Sequence, residues 1–72
     1  MSKSKIISKE MFFSDMKAFA IIGSISLVDI KASYLIELCV AICKVKKWNV
    51  KMFDFDFNEF KIYIESQGVK II

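Results

Sequence analysis

The sequence contains no histidine, and it also lacks arginine, proline and threonine. Histidine is the usual acid–base group near neutral pH, so the chain lacks the side chain that most often transfers protons in catalysis. Arginine supplies the planar fork that reads guanine and clamps phosphate through paired hydrogen bonds. Lysine can still supply unspecific phosphate contacts.

Glycine is scarce, with only Gly23 and Gly68 in the chain. A phosphate-binding loop needs several closely spaced glycines, so no such loop is present. The sequence also has no nucleophile elbow, no Walker pattern and no carboxylate pair in a recognisable context. We therefore predict that the protein is not an enzyme and that it carries no cofactor.

The two cysteines, Cys39 and Cys43, lie four residues apart on a predicted helix. Zinc needs more ligands than two thiolates, and neither a histidine nor a third cysteine is available. A disulfide between them is disfavoured, because Cβ atoms one helical turn apart rarely meet its geometry. We expect two small apolar side chains in a reducing compartment.

A calcium loop is the other metal site to consider, because Asp54, Asp56, Asn58 and Glu65 have its spacing. The pattern fails at the position that needs glycine for a sharp turn, where the chain has Glu59. No metal site is therefore predicted.

Long uncharged runs are missing too. The longest covers residues 18–28, far short of the ~20 residues that a membrane-spanning helix needs. We predict no transmembrane segment and a cytoplasmic protein. The net charge of +3 is well below the strongly basic character expected of a nucleic-acid-binding domain.

Apolar residues are abundant by contrast. The chain has 72 residues, room for a single small domain over residues 1–72, and we expect residues 1–5 to form a frayed tail. Its hydrophobic fraction is 56%, above the roughly 45–50% of an ordinary domain. Some of this apolar surface is expected to face a partner protein or a second copy of the chain.

Residues 26–47 carry the strongest periodicity. Their polar side chains recur every three, four or seven residues, the spacing of one polar stripe on a helix. Ser26 and Asp29 fit a capping pattern at its start, and lysines at its end complement the helix dipole. We predict a central, mostly buried helix over about residues 26–47. The polar positions are Ser26, Asp29, Ser33, Glu37, Lys44 and Lys47.

A helix is also predicted before the central one. Ser8 fits its N-cap, Glu10 its first turn and Gly23 the position just past its end, so it would run to about Ile22. The alternative is a strand over residues 19–25, which are rich in isoleucine.

From Trp48 the apolar period changes to two, which predicts a strand through residues 48–57. Its alternation shifts between Met52 and Phe53, as at a bulge or bend. Asp56 and Glu59 then fit the cap of a short helix ending near Gly68, followed by a second strand over residues 69–72. The alternative is a hairpin turning at residues 58–59.

The predicted fold class is therefore α+β, with two N-terminal helices packed on a small sheet formed by the C-terminal third. The predicted function is non-catalytic: binding to a partner protein and modulating it, in the simplest case by inhibition. Phage and mobile-element accessory proteins have this size and composition, so we hypothesise such an origin.

Two surfaces are candidates for the partner interface. The polar stripe is the set of Asp29, Ser33 and Glu37 on the central helix. The aromatic–acidic ribbon combines exposed aromatic anchors with a polar rim. Its residues are Phe53, Asp54, Phe55, Asp56 and Glu59.

An alternative function is nucleic-acid binding through a lysine cluster around one tryptophan, with phosphate contacts and base stacking. This lysine cluster consists of Lys44, Lys46, Lys47, Trp48 and Lys51. A third hypothesis is a homodimer that covers the surplus apolar surface.

Overall fold

The computed structural model describes residues 6–72, so the tail expected over residues 1–5 lies outside the described residues. Within residues 6–72 there are helices, one short 3₁₀ turn at Val50–Met52 and no β-strand. The predicted α+β fold class is wrong, because the chain is mostly helical and forms no sheet in this range. The three α-helices are α1 (Lys9–Ile22), α2 (Ala32–Lys46) and α3 (Phe57–Ser66).

Helix α1 confirms the first helix expected from the sequence. Ser8 is its N-cap, and the Ser8 hydroxyl accepts a hydrogen bond from the Met11 backbone N–H at 3.1 Å. The helix ends at Gly23, whose N–H donates to the Phe19 carbonyl at 2.9 Å. The alternative strand over residues 19–25 is therefore excluded. The buried side chains of α1 are Phe12, Phe13, Met16 and Ala20.

Helix α2 starts later than predicted, at Ala32. The Ser26 hydroxyl does not cap a helix. It accepts from the Val28 N–H at 3.2 Å and donates to the Val28 carbonyl at 3.0 Å, which closes a local turn. Asp29 then adopts a left-handed backbone with φ 63°, a conformation that cannot belong to a right-handed helix.

The expectation that α2 is mostly buried is also wrong. Its buried residues are limited to Leu35, Leu38 and Ile42. Ile36 and Val40 are each 48% exposed although they are large and apolar. The apolar arc of α2 is thus wider than the face that the core covers.

The predicted strand over residues 48–57 is absent, because local hydrogen bonds turn the chain instead. Lys47 is left-handed with φ 59°, and Asn49 accepts from the Lys51 N–H at 2.9 Å to begin the 3₁₀ turn. The Phe53 N–H donates to the Val50 carbonyl at 3.1 Å. Backbone groups used in these turns are not free for a sheet ladder.

Helix α3 confirms the short helix predicted after Asp56 and excludes the hairpin. The Asp56 carboxylate accepts from the Glu59 N–H at 2.8 Å, and the Glu59 carboxylate accepts from the Asp56 N–H at 3.0 Å. Just beyond the helix, Gly68 has φ 102°, a conformation that favours glycine. This reversal returns Val69 to the core, where it is 7% exposed.

The second predicted strand, residues 69–72, is reduced to one isolated bridge. Ile71 pairs with Ile30, and the Ile30 N–H donates to the Lys70 carbonyl at 2.8 Å. A second isolated bridge joins Ile7 to Phe53. Each bridge pins one loop to a distant part of the chain, but neither continues into a ladder.

Helix α1 packs against both of the other helices. No Cα atom of α2 lies within 8 Å of a Cα atom of α3. The core lies between α1 and its two neighbours, and a gap is left between α2 and α3. The fully buried large side chains are Ile7, Phe12, Met16, Leu35, Ile42, Phe60 and Ile64.

Candidate functional site

The gap between α2 and α3 forms a groove of about 700 Å³. Phe12 of α1 and Phe60 of α3 are both buried and both line it, so the groove reaches down to the hydrophobic core. The segment between α2 and α3 closes one part of its wall through Trp48, Phe53 and Phe55. A concave, mostly apolar site of this size is typical of ligand and protein-anchor binding.

The floor of the groove is a cluster of aromatic rings centred on Phe12. Its ring centroid lies 5.3 Å from that of Phe53, 5.1 Å from that of Phe60 and 5.8 Å from that of Trp48. Phe53 and Phe55 stack with centroids 5.0 Å apart. Offset and edge-to-face contacts of this kind hold rings in place, so the floor is preorganised.

Helix α2 supplies one wall. Ile36, Val40 and Lys44 follow one another at intervals of four residues, which places them along a single line on the helix surface. Cys39 and Cys43 line the same wall closer to the core. The wall is therefore apolar until it ends in one ammonium group.

The opposite wall comes from the 3₁₀ turn and the start of α3. Val50 is 75% exposed and Phe57 is 40% exposed, and both line the groove. Asp56 lies beside Phe57 as the N-cap of α3. This wall thus combines two protruding apolar side chains with one carboxylate.

Among residues 6–72, the groove lining has one charge of each sign, Lys44 and Asp56. Within residues 6–72, neither Lys44 nor Asp56 takes part in an ion pair. One Asp56 oxygen, Oδ1, accepts the capping hydrogen bond from the Glu59 N–H. The Lys44 ammonium and the Asp56 carboxylate therefore have no oppositely charged partner among residues 6–72.

Both cysteine thiols are held in their neutral form. Burial, and to a lesser extent the nearby Cys43 sulfur, raises the pKa of Cys39 to about 12. Burial also raises the pKa of Cys43. Neutral thiols are weak nucleophiles, so at neutral pH these side chains act as apolar parts of the groove wall.

The structure brings together residues from two separate sequence hypotheses. Phe53, Phe55 and Asp56 of the aromatic–acidic ribbon line the groove with Lys44 and Trp48 of the lysine cluster. The remaining members of the aromatic–acidic ribbon and the lysine cluster are exposed and are not part of the groove lining. They are Asp54, Glu59, Lys46, Lys47 and Lys51.

Lys46 is not part of the groove lining, but it lies near Trp48, which is. Its Nζ lies 3.8 Å from Asp15 Oδ2 and 5.8 Å from the centroid of the Trp48 ring. Trp48 is itself half-buried against Phe12. The lysine cluster is therefore not a set of free cations around a free ring.

The polar stripe lies apart from the groove. Glu37 lines a smaller concavity of about 440 Å³ with Phe19 and Ile22 of α1. Asp29 lines a third concavity with Lys31, in the loop before α2. Ser33 is exposed on α2 and is not part of any of these linings.

Eight groove residues were missing from the sequence candidates for binding. Four of them are exposed and apolar: Ile36, Val40, Val50 and Phe57. The sequence signal for those on α2 is the excess of apolar positions on that helix, but a helix with such a wide apolar arc is usually covered by the core. Which of those positions the core covers depends on the tertiary packing of α1.

No group of three or more potential ligand side chains in residues 6–72 is placed to hold a metal ion. Each helix in that part of the chain is too short or too polar to cross a bilayer. Comparisons with protein-family models, with curated proteins and with solved structures give no match.

Proposed function

We propose that this chain is a non-catalytic protein-interaction module that binds another protein chain through the groove and so modulates what that chain does. The observation that carries the proposal is a set of exposed apolar side chains around one preorganised aromatic floor. Folding leaves these side chains between 40% and 75% exposed. They are Ile36, Val40, Val50 and Phe57.

The groove has the anatomy of a protein interface on a small scale. Binding energy in such interfaces is concentrated in large apolar anchors that enter desolvated pockets, and charges lie at the rim. Here the aromatic floor offers the pocket, while Lys44 and Asp56 form the charged rim. The occupant we propose is a protein surface with apolar anchors, a carboxylate to meet Lys44 and a cation to meet Asp56.

Modulation would follow from occlusion. A bound chain has its anchor residues covered by the groove and its neighbouring surface blocked by the body of the domain. The chain has no histidine, the usual group for proton transfer near neutral pH. Inhibition by masking is therefore the simplest mode of action.

Two contacts weaken the nucleic-acid alternative. Lys46 is 3.8 Å from the Asp15 carboxylate, which offsets its charge. Trp48 packs on Phe12, so only part of its ring is accessible for stacking on a base. Binding that depends on phosphate contacts would also weaken steeply as salt rises.

The test compares two valines on the same helix. Val40 lines the groove, whereas Val45 is 64% exposed and is not part of the groove lining. Tagged wild-type chain, Val40→Lys and Val45→Lys would each capture proteins from a lysate of the cells that express the chain. The capture would be nuclease-treated and washed at low and then high salt.

We expect one protein to be retained by wild type and by Val45→Lys and to be lost with Val40→Lys. Glu37→Gln, a change in the polar stripe, should leave retention unaltered if that stripe is only solvated. Equal retention by all variants would contradict the groove as the binding surface. Loss of all bound material on nuclease treatment would support nucleic-acid binding instead.

A further inference from the structure

We propose that the groove is occupied by a second copy of this chain, so that the protein forms a two-fold symmetric homodimer through it. This inference rests on the proposed function, because it names the chain that the groove binds. It is argued from the two opposite charges in the groove lining and from the exposed apolar side chains at the edge of the groove.

The charge argument depends on symmetry. In a two-fold dimer the same patch faces itself, so residue i of one copy meets residue j of the other, and the reverse contact forms as well. Lys44 and Asp56 lie on opposite walls of one groove and have no ion-pair partner within residues 6–72. A second copy turned by half a revolution can place its Asp56 against Lys44 and its Lys44 against Asp56.

The shape argument concerns protrusions and hollows. A self-complementary surface needs both, since each copy must fill the other. Val50 is 75% exposed and Phe57 is 40% exposed in the groove lining, which also contains the buried Phe12 and Phe60. The α2 line of Ile36 and Val40 would pack beside them.

A second apolar patch does not share this property. Ile21 and Ile22 are strongly exposed at the end of α1, and Ile22 lines the concavity that contains Glu37. Among residues 6–72, Glu37 is the only charged side chain in that lining. A two-fold contact there would bring two carboxylates together, which disfavours pairing.

The first experiment measures mass against concentration by sedimentation equilibrium. The wild-type chain should rise from 8.3 kDa towards twice that mass as concentration increases. Val45→Lys should behave like wild type. Val40→Lys should stay monomeric over the same range, because two ammonium groups would be forced into an apolar interface.

The second experiment tests the reciprocal charge contact by mixing variants. Lys44→Glu should self-associate at least about tenfold more weakly than wild type, because it places Glu against Asp56 twice. Asp56→Asn should also weaken association, and asparagine preserves the cap of α3. An equal mixture of the two variants should associate more tightly than either alone, since the mixed dimer regains one Lys44–Asp56 contact and has no like-charge contact.

Four outcomes would overturn the inference: a monomer at every concentration, equal loss of association with Val40→Lys and Val45→Lys, association unaffected by either, or a mixture no tighter than its components. Circular dichroism would identify a variant that is unfolded, and the mixing experiment, which changes only surface charge, then decides.

If the chain is monomeric and capture still depends on Val40, the groove binds a different protein and only the homodimer is wrong. If capture is also insensitive to Val40, the proposed function fails with it.

Discussion

Helix α3 contains two phenylalanines three residues apart whose surroundings differ sharply. Phe60 is 1% exposed and contacts the Phe12 ring, whereas Phe57 is 40% exposed at the edge of the groove. Helix α2 repeats the contrast, with Ile42 fully buried and Val40 almost half exposed. In both helices one apolar face is covered by folding and the neighbouring apolar face is not.

This difference divides the hydrophobic positions of the two helices into a buried set and an exposed set. A chain of 72 residues buries only about 60% of the surface its unfolded form exposes. The core needs the face that contacts α1, and the remaining apolar positions add little to the stability of an isolated copy. Their presence is accounted for if a second chain covers them.

The largest expected effect is on the buried side. Phe60→Ala should lower the free energy of unfolding by about 3–5 kcal/mol, because it removes a ring from a close-packed aromatic cluster. Phe57→Ala should lower it by less than about 1 kcal/mol at concentrations where the chain is monomeric. Denaturant titration measures both. Similar losses for the two variants would remove the contrast between the covered and uncovered faces.

The second expected effect is on self-association, where the exposed Phe57 should have the large effect. Phe57→Ala should weaken self-association by about tenfold or more, as expected for an aromatic anchor. Ile62→Ala is the matched control, because Ile62 is 60% exposed on the same helix and does not line the groove. Sedimentation equilibrium of the two variants gives the comparison. A larger effect from Ile62 than from Phe57 would place the interface elsewhere.

The third effect separates the structural role of Asp56 from its role at the rim. Asp56→Ala should lower the free energy of unfolding by about 1 kcal/mol through loss of the N-cap, and Asp56→Asn should not. Asp54→Ala is a control within about 0.5 kcal/mol of wild type, since Asp54 is exposed and outside the capping box. Equal stability of Asp56→Ala and wild type would mean that the cap contributes nothing.

The smallest effect concerns the thiols in the α2 wall. Burial raises the pKa of Cys39 in the folded chain from 9.0 to about 12. As pH rises, the Cys39 thiol of the unfolded chain therefore loses its proton before that of the folded chain. The contribution of the neutral thiol to the free energy of unfolding is present below pH 9.0 and is lost as pH rises towards about 12.

Alkylation of Cys39 in a Cys43→Ser chain should be slower in the folded state than in denaturant. Equal rates would contradict a buried, neutral thiol.

The cysteine in the wall also reports on occupancy of the groove. Alkylation of Cys39 should slow further as protein concentration rises, because a second copy covers the wall. In Val40→Lys the rate should not depend on concentration. A concentration dependence that persists in that variant would contradict coverage of the groove.

Helices α1 and α3 could be predicted from the sequence because their start signals are local. Ser8 bonds to the Met11 N–H, and Asp56 exchanges hydrogen bonds with Glu59, all within three residues. Such contacts need no knowledge of the rest of the fold. The ends of the two helices, near Gly23 and Gly68, were marked by glycine for the same reason.

The start of α2 and the path of residues 48–56 depend on more distant partners. A serine before a helical pattern usually caps a helix, but Ser26 instead closes a local turn. The Ile30 N–H donates to the carbonyl of Lys70, a residue forty positions later in the sequence. The alternating phenylalanines look like a strand, but Phe53 and Phe55 both pack on Phe12. Period-two spacing cannot distinguish a strand from a bent segment that wraps around one ring.

The groove could be predicted only in part. Aromatic and charged side chains near a helix end are binding candidates in any fold, and five of the candidates line the groove. They are Lys44, Trp48, Phe53, Phe55 and Asp56. Ile36 and Val40 could not be distinguished from core positions, since the distinction is set by the separation of α2 from α3.

The most direct test of the groove uses the single tryptophan of the chain, Trp48, which lines it. Acrylamide quenching of Trp48 fluorescence would be measured over the concentration range in which sedimentation equilibrium reports the mass. We predict that quenching falls as the mass doubles, and that Val40→Lys shows neither change. A doubling of mass with Trp48 equally quenchable throughout would show that the copies meet elsewhere and would contradict the groove as the binding surface.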